Sequence, residues 1–163
     1  PTYLQKPHPR ASVNGVMSAV FVESIGIGES MYYGPGAGQK PTATSVVADI
    51  VRISRRLNEG TVGKAFNEFS RELVLAKPED VKSSYYFSIL APDSKGQVLH
   101  LAEMFNAEDV SFKQILQEGT DGEKARVVII THAVSKTQLE NVTAKLKEVA
   151  EFDLLNTFKV LGD

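Results

Sequence analysis

No cysteine occurs among the 163 residues. That excludes disulfides, a thiolate nucleophile and any cysteine-held metal. Positive charge is not in excess either: 18 Lys and Arg stand against 20 Asp and Glu, and the pI is near 6.0. A surface for nucleic acid or an anionic membrane needs a basic field that this balance does not supply. No apolar run approaches the ~20 residues of a membrane-spanning helix. The first ten residues hold Pro1, Pro7 and Pro9 and no apolar core, so no secretory signal is read there. The expectation is a cytoplasmic protein with neither nucleic acid nor membrane as partner. The chain does not open on methionine, which suggests a processed protein or an excised piece of a longer one.

Several catalytic signatures are also missing. A P-loop would need glycine at Gln39, directly before Lys40, and a G-x-G-x-x-G dinucleotide fingerprint would need glycine at the same place. There is no G-x-S-x-G elbow for serine hydrolysis. His8, His100 and His132 are scattered, and no H-E-x-x-H or comparable set suggests a metal centre. Each histidine reads as solvated surface, and the metal expectation is none.

What is there is an ordinary globular composition, 42% hydrophobic and 23% charged. The length suits one domain, or a small domain plus part of another. Residues 1–12 read as an extended, irregular lead-in. After the Asn14-Gly15 turn, residues 16–22 and 27–33 read as two strands of a hairpin, rich in β-branched and aromatic residues. The stretch Tyr33-Gly34-Pro35-Gly36-Ala37-Gly38 then turns the chain. Pro41 suits the first turn of a helix. Val46, Ile50, Ile53 and Leu57 recur at helical spacing, and Gly60 stops the run. That apolar stripe needs a partner to cover it.

Residues 60–84 are transitional, with irregularly spaced Phe66, Phe69, Leu73 and Leu75 before Lys77-Pro78-Glu79-Asp80. A boundary is expected near 78–84. Beyond it the pattern is strand 85–91, helix 97–106, strand 110–117, strand 125–132, helix from Ser135 and strand 152–161. Residues 119–122 form the hairpin loop, and Ser135 to Gln138 makes a capping box. This βαββαβ order predicts two helices over one face of a four-stranded antiparallel sheet, the ferredoxin-like fold. The fold class is α+β.

Two loops are candidate sites. The glycine turn ahead of the helix offers positive φ and open amides to an anion, or it is simply a tight connection. Both readings stay open. In the loop before the second helix, Asp93 can cap the turn and Gly96 frees the backbone. Its functional reading is a small-ligand site, with an amino group on Asp93 and a carboxylate on the helix N-terminus. Ser111, at the start of the next strand, is expected close by. The alternative is a plain capped turn.

These residues resemble a family. Val13-Asn14-Gly15, Ala19 to Val22, Tyr33 to Gly38, Pro41-Thr42-Ala43 and Ser45 to Ile50 look like the closing part of homoserine dehydrogenase. Residues 85–161 look like an ACT domain, from Asp93-Ser94-Lys95-Gly96 through Val110-Ser111-Phe112. The resemblance implies a remnant of the catalytic and dimerisation region over 1–78 and an ACT regulatory domain over 79–163. In the parent it implies NADP- or NAD-dependent interconversion of aspartate semialdehyde and homoserine, on the path to threonine and methionine. Gly36, Gly38 and Thr42 would lie near cofactor and substrate there. Asp93, Gly96 and Ser111 match effector positions, with threonine the first candidate. The family's nucleotide-binding half and catalytic lysine region have no counterpart in these residues, so no catalytic residue and no tight cofactor binding is expected of the fragment alone. As it stands the piece reads as an amino-acid-binding module. A dimer through the ACT domain and the exposed helix is the expected assembly.

Overall fold

The computed structural model describes residues 1–63, 74–119 and 122–161. Phe66, Phe69 and Leu73, and Thr120 and Asp121 of the hairpin loop, lie outside the described residues. The chain is a mixture of α and β structure and separates into two units: Lys6–Val74, and Leu75–Asp163 together with Pro1–Gln5. The division falls a few residues before the expected 78–84, and the first five residues belong to the later unit.

In the unit formed by Lys6–Val74, a short 3-10 turn at Pro9–Ser12 leads into strands β2 (Met17–Ser24) and β3 (Gly28–Pro35). They pair antiparallel, Met17 opposite Pro35 and Ser24 opposite Gly28. Helix α1 (Gln39–Asn58) follows. It ends in a paired cap: Gly60, at φ +64°, donates its N–H to Leu57 O at 3.2 Å, and Thr61 N–H reaches Arg56 O at 2.9 Å. Arg55 and Arg56 sit where the dipole favours cations. The apolar stripe is bare: Val46, Ile50, Ile53 and Leu57 are each more than half exposed. Within Lys6–Val74 no described element covers it.

The other unit is a five-strand path with two helices. Its elements are β4 (Lys82–Pro92), α2 (Gln97–Asn106), β5 (Phe112–Gly119), β6 (Lys124–Thr131), the two-residue β7 (Val134–Ser135), α3 (Lys136–Glu148) and β8 (Asp153–Leu161). At the far edge stands β1 (Thr2–Leu4), giving the order β1-β8-β4-β6-β5. All neighbours are antiparallel except β1, which pairs parallel to β8. The lead-in that reads as irregular thus contains a strand. Alternation on β4 sends Phe87, Ile89 and Ala91 to one face, where Leu101 and Phe105 of α2 and Val142 and Leu146 of α3 close the core. Phe105 stands edge-on to both Phe87 and Phe112, at 5.1 and 5.0 Å between ring centres.

The capping box opens α3: Gln138 N–H donates to Ser135 Oγ at 3.2 Å, and Ser135 N–H to Gln138 Oε1 at 3.0 Å. The amide of Gln138 then reaches the carbonyls of Glu108 and Asp109, both at 3.1 Å, tying the helix to the loop after α2.

Candidate functional site

The glycine turn resolves into two separate requirements. Gly36 lies against β2, with its N–H donating to Val16 O at 2.8 Å. A Cβ there would meet Ser18 Cβ at 2.8 Å and overlap its hydroxyl. Close approach of two backbones therefore explains Gly36. Gly38 is the N-cap of α1 at φ +126°, a conformation side chains avoid. No side chain caps this helix, and Thr42 N–H bonds Gly38 O at 3.1 Å. Gln39 and Lys40 are the first residues of α1, where backbone amides precede the helical ladder and the dipole favours an anion.

The second loop differs from expectation. Asp93 does not cap α2. Its Oδ1 accepts from Gln117 Nε2 on β5 at 3.2 Å, and its own N–H bonds Glu123 O at 2.9 Å. Gly96, at φ +92°, is the N-cap, again without a side-chain cap. Gln97 Oε1 at the first helical position is buried without a partner. Ser111 is not beside this loop. Pro92 pairs opposite Lys124, whereas Phe112 pairs opposite Thr131, so Ser111 lies at the other end of the sheet. Seven residues of β6 separate the two levels, roughly 20 Å at strand rise. The physical reason is direction: β5 runs antiparallel to β6, and α2 carries the chain back along the sheet before β5 begins. Ser111 instead borders a hollow of about 360 Å³ with Glu103 and Asn106 from the last turns of α2. Within one chain, Asp93 and Gly96 share a loop and Ser111 does not join them.

The histidines remain apart, though two of them have partners. His8 Nδ1 accepts from Arg10 N–H at 3.1 Å, capping the 3-10 turn, and its ring lies 4.9 Å from Phe21. His100 Nδ1 meets Glu151 Oε1 at 3.0 Å. No group of three metal-binding side chains occurs among the described residues. No helix of the described residues is long and apolar enough to cross a membrane. The carboxyl group of Glu108 is held below the usual carboxylate range by hydrogen bonds from Lys145 and then Asn141.

The turn, hairpin and helix define one kind of fragment, and comparison with known proteins says which proteins it is like. The homoserine dehydrogenase family pattern matches residues 1–51, which include β1, the hairpin and most of α1. Over all 163 residues the chain is 61% identical to a homoserine dehydrogenase of Lactococcus lactis, of which it covers 38%. It is 33% identical to that of Bacillus subtilis, again covering 38%. A homoserine dehydrogenase structure from Thiobacillus denitrificans superposes with a TM-score of 0.79 over 98% of this chain and 37% of its own, at 23% identity, a likeness of fold. The chain thus spans well under half the length of the relatives it matches.

Proposed function

We propose that the chain is the closing part of a homoserine dehydrogenase, an oxidoreductase that interconverts aspartate semialdehyde and homoserine with NADP or NAD. The observation that supports this reading is 61% identity over an alignment that covers the whole chain. The nicotinamide cofactor, when bound, supplies the hydride chemistry. What these residues offer it is limited: the uncapped start of α1 at Gly38, with Thr42 in its first turn, can donate to a negatively charged group. Gly36 fits the role only indirectly, by letting the turn close on β2. These residues form one wall of a site whose remaining walls belong to the rest of the parent protein.

The later unit fits a regulatory role. Its βαββαβ order, with α2 and α3 packed into one core with β4 and β6, supports reading it as a ferredoxin-like ACT domain. The loop of Asp93 and Gly96 is then the place for an amino-acid effector, threonine first, in a cytoplasmic homodimer. Ser111 of the same chain is too distant to complete that loop, so it would serve only from a second copy or at its own hollow.

The test is enzymatic. A full-length protein carrying this chain is expected to oxidise homoserine with NADP or NAD, and residues 1–163 alone are expected to give no turnover above blank. Absence of activity in the full-length protein refutes the dehydrogenase reading. Turnover by 1–163 refutes its reading as an incomplete site. Titration calorimetry with threonine, isoleucine and methionine decides the effector, and no heat from any of them removes it.

A further inference from the structure

Asn14 is the only asparagine of the chain that is followed by glycine. The pair builds the turn that feeds β2. Met17 N–H closes this turn on Asn14 O at 3.2 Å, and Gly15 takes its first central position at φ +63°, where glycine is favoured. The turn fixes the place of Val16, whose carbonyl accepts the Gly36 N–H at 2.8 Å. The glycine turn before α1 is therefore tied to this earlier one.

Two features of the Asn14-Gly15 pair bear on its covalent chemistry. The first is access. Both residues are exposed, and apart from its chain neighbours no heavy atom lies within 4 Å of where a Gly15 Cβ would stand. The second is the nitrogen of Gly15. Among the described residues its N–H has no hydrogen-bond partner.

A side-chain carboxamide and the next backbone nitrogen can close a five-membered ring. A side chain on the following residue crowds that closure, and a hydrogen bond on the backbone nitrogen opposes it. Neither obstacle stands at Gly15. The one bond that ties the Asn14 carboxamide runs from Nδ2 to Ser12 O, at 3.0 Å on the exposed surface. Asn106, Asn141 and Asn156 precede Ala107, Val142 and Thr157, and Asn141 is further held by Glu108.

We propose that Asn14 is a site of spontaneous deamidation, and that its β-aspartyl product releases the start of β2 from the glycine turn. The nitrogen of Gly15 bonds to Asn14 Cγ. Its proton passes through solvent to Nδ2, which leaves as ammonia, and the ring formed is a succinimide. Water then opens the ring at either carbonyl. Opening at Cγ gives aspartate in an ordinary backbone. Opening at the backbone carbonyl leaves Gly15 joined through Cγ, which adds a methylene to the main chain and turns the old carbonyl into a carboxylate. That carbonyl is the acceptor for Met17 N–H, so the second product breaks the turn and the first does not. The site lies outside the loop of Asp93 and Gly96 and does not depend on the dehydrogenase reading.

The experiment incubates the 163-residue chain in mildly alkaline buffer, digests it with trypsin and follows each asparagine by peptide mass and chromatography. The peptide of residues 11–52 holds no asparagine besides Asn14. Conversion at Asn14 is expected to be at least tenfold faster than at Asn106, Asn141 or Asn156, and less than tenfold slower than in the urea-unfolded chain. In the isolated β-aspartyl form, amide exchange at Met17 and Gly36 is expected to quicken at least tenfold. Asn14→Asp, which keeps the ordinary backbone, is expected to leave that exchange unchanged. A smaller rate advantage over the other asparagines, or protection of tenfold or more by folding, overturns the site. Unchanged exchange in the β-aspartyl form, or equal quickening in Asn14→Asp, overturns the release of β2.

Discussion

Glu108 and Lys145 form an ion pair between the loop after α2 and the body of α3, and Asn141 Nδ2 donates to the second carboxylate oxygen of Glu108 at 2.8 Å. This link has a definite pH dependence. The carboxyl group is depressed in the folded state, so its stabilisation is fully present above the unfolded value of about 4.3 and is lost as pH falls through the lower folded value. Urea midpoints measured from pH 7 down to acid are expected to fall in that window. Glu108→Gln is expected to lower the midpoint at pH 7 and to flatten the acid limb. Parallel curves for the two proteins would show that this carboxylate is not coupled to folding.

Phe105 is fully buried between two other rings. Phe105→Ala removes both edge-to-face contacts and leaves a cavity under α2. A loss of about 3–5 kcal/mol is expected for the unit containing it. Denaturation followed by amide signals of β4 and β6 measures it, and a loss below about 1 kcal/mol would mean that the site collapses to fill the space.

Gly36→Ala should destabilise the hairpin by about 1–3 kcal/mol, because the new methyl group meets the Ser18 side chain. Ser18→Gly removes the obstruction. The double variant is expected to recover most of the loss, read from hydrogen exchange of β2 and β3. Failure of this rescue would place the cost in the backbone of Gly36 rather than in the close approach.

Ser135→Ala deletes one half of the capping box. A loss of about 1 kcal/mol is expected. The bonds from the Gln138 amide to the Glu108 and Asp109 carbonyls connect to the same turn, so Gln138→Ala is expected to cost more than Ser135→Ala. Thermal melts of the two variants compare them directly.

Local chemistry made much of this fold legible. The Ser135 to Gln138 pattern states a capping box outright, and Gly60 states a helix end, because each depends on neighbours in the chain. The run from Gln97 to Asn106 is bounded by Gly96 and by an apolar spacing that a reader can count. What escaped was non-local. Nothing in Thr2, Tyr3 and Leu4, followed by prolines, announces a parallel partner more than 150 residues away, Lys159 to Leu161. A bulge at Lys113 in β5 is likewise visible only against β6. The site reading failed at one point for a related reason: Asp93 and Ser111 are close in the chain, but an antiparallel sheet sends them to opposite ends. Asp93 found Gln117 instead, a partner that spacing along the chain did not suggest.

The bare stripe of α1 has a consequence for the life of this chain in a cell. Chaperones and proteases recognise exposed branched aliphatic side chains, and Val46, Ile50, Ile53 and Leu57 present four along one helix. A copy made without whatever packs on that helix would be handled as a damaged molecule even with every strand correctly paired. Where that cover is the rest of the parent protein, as proposed above, the stripe is buried as the whole chain folds, and only a shortened copy would meet quality control.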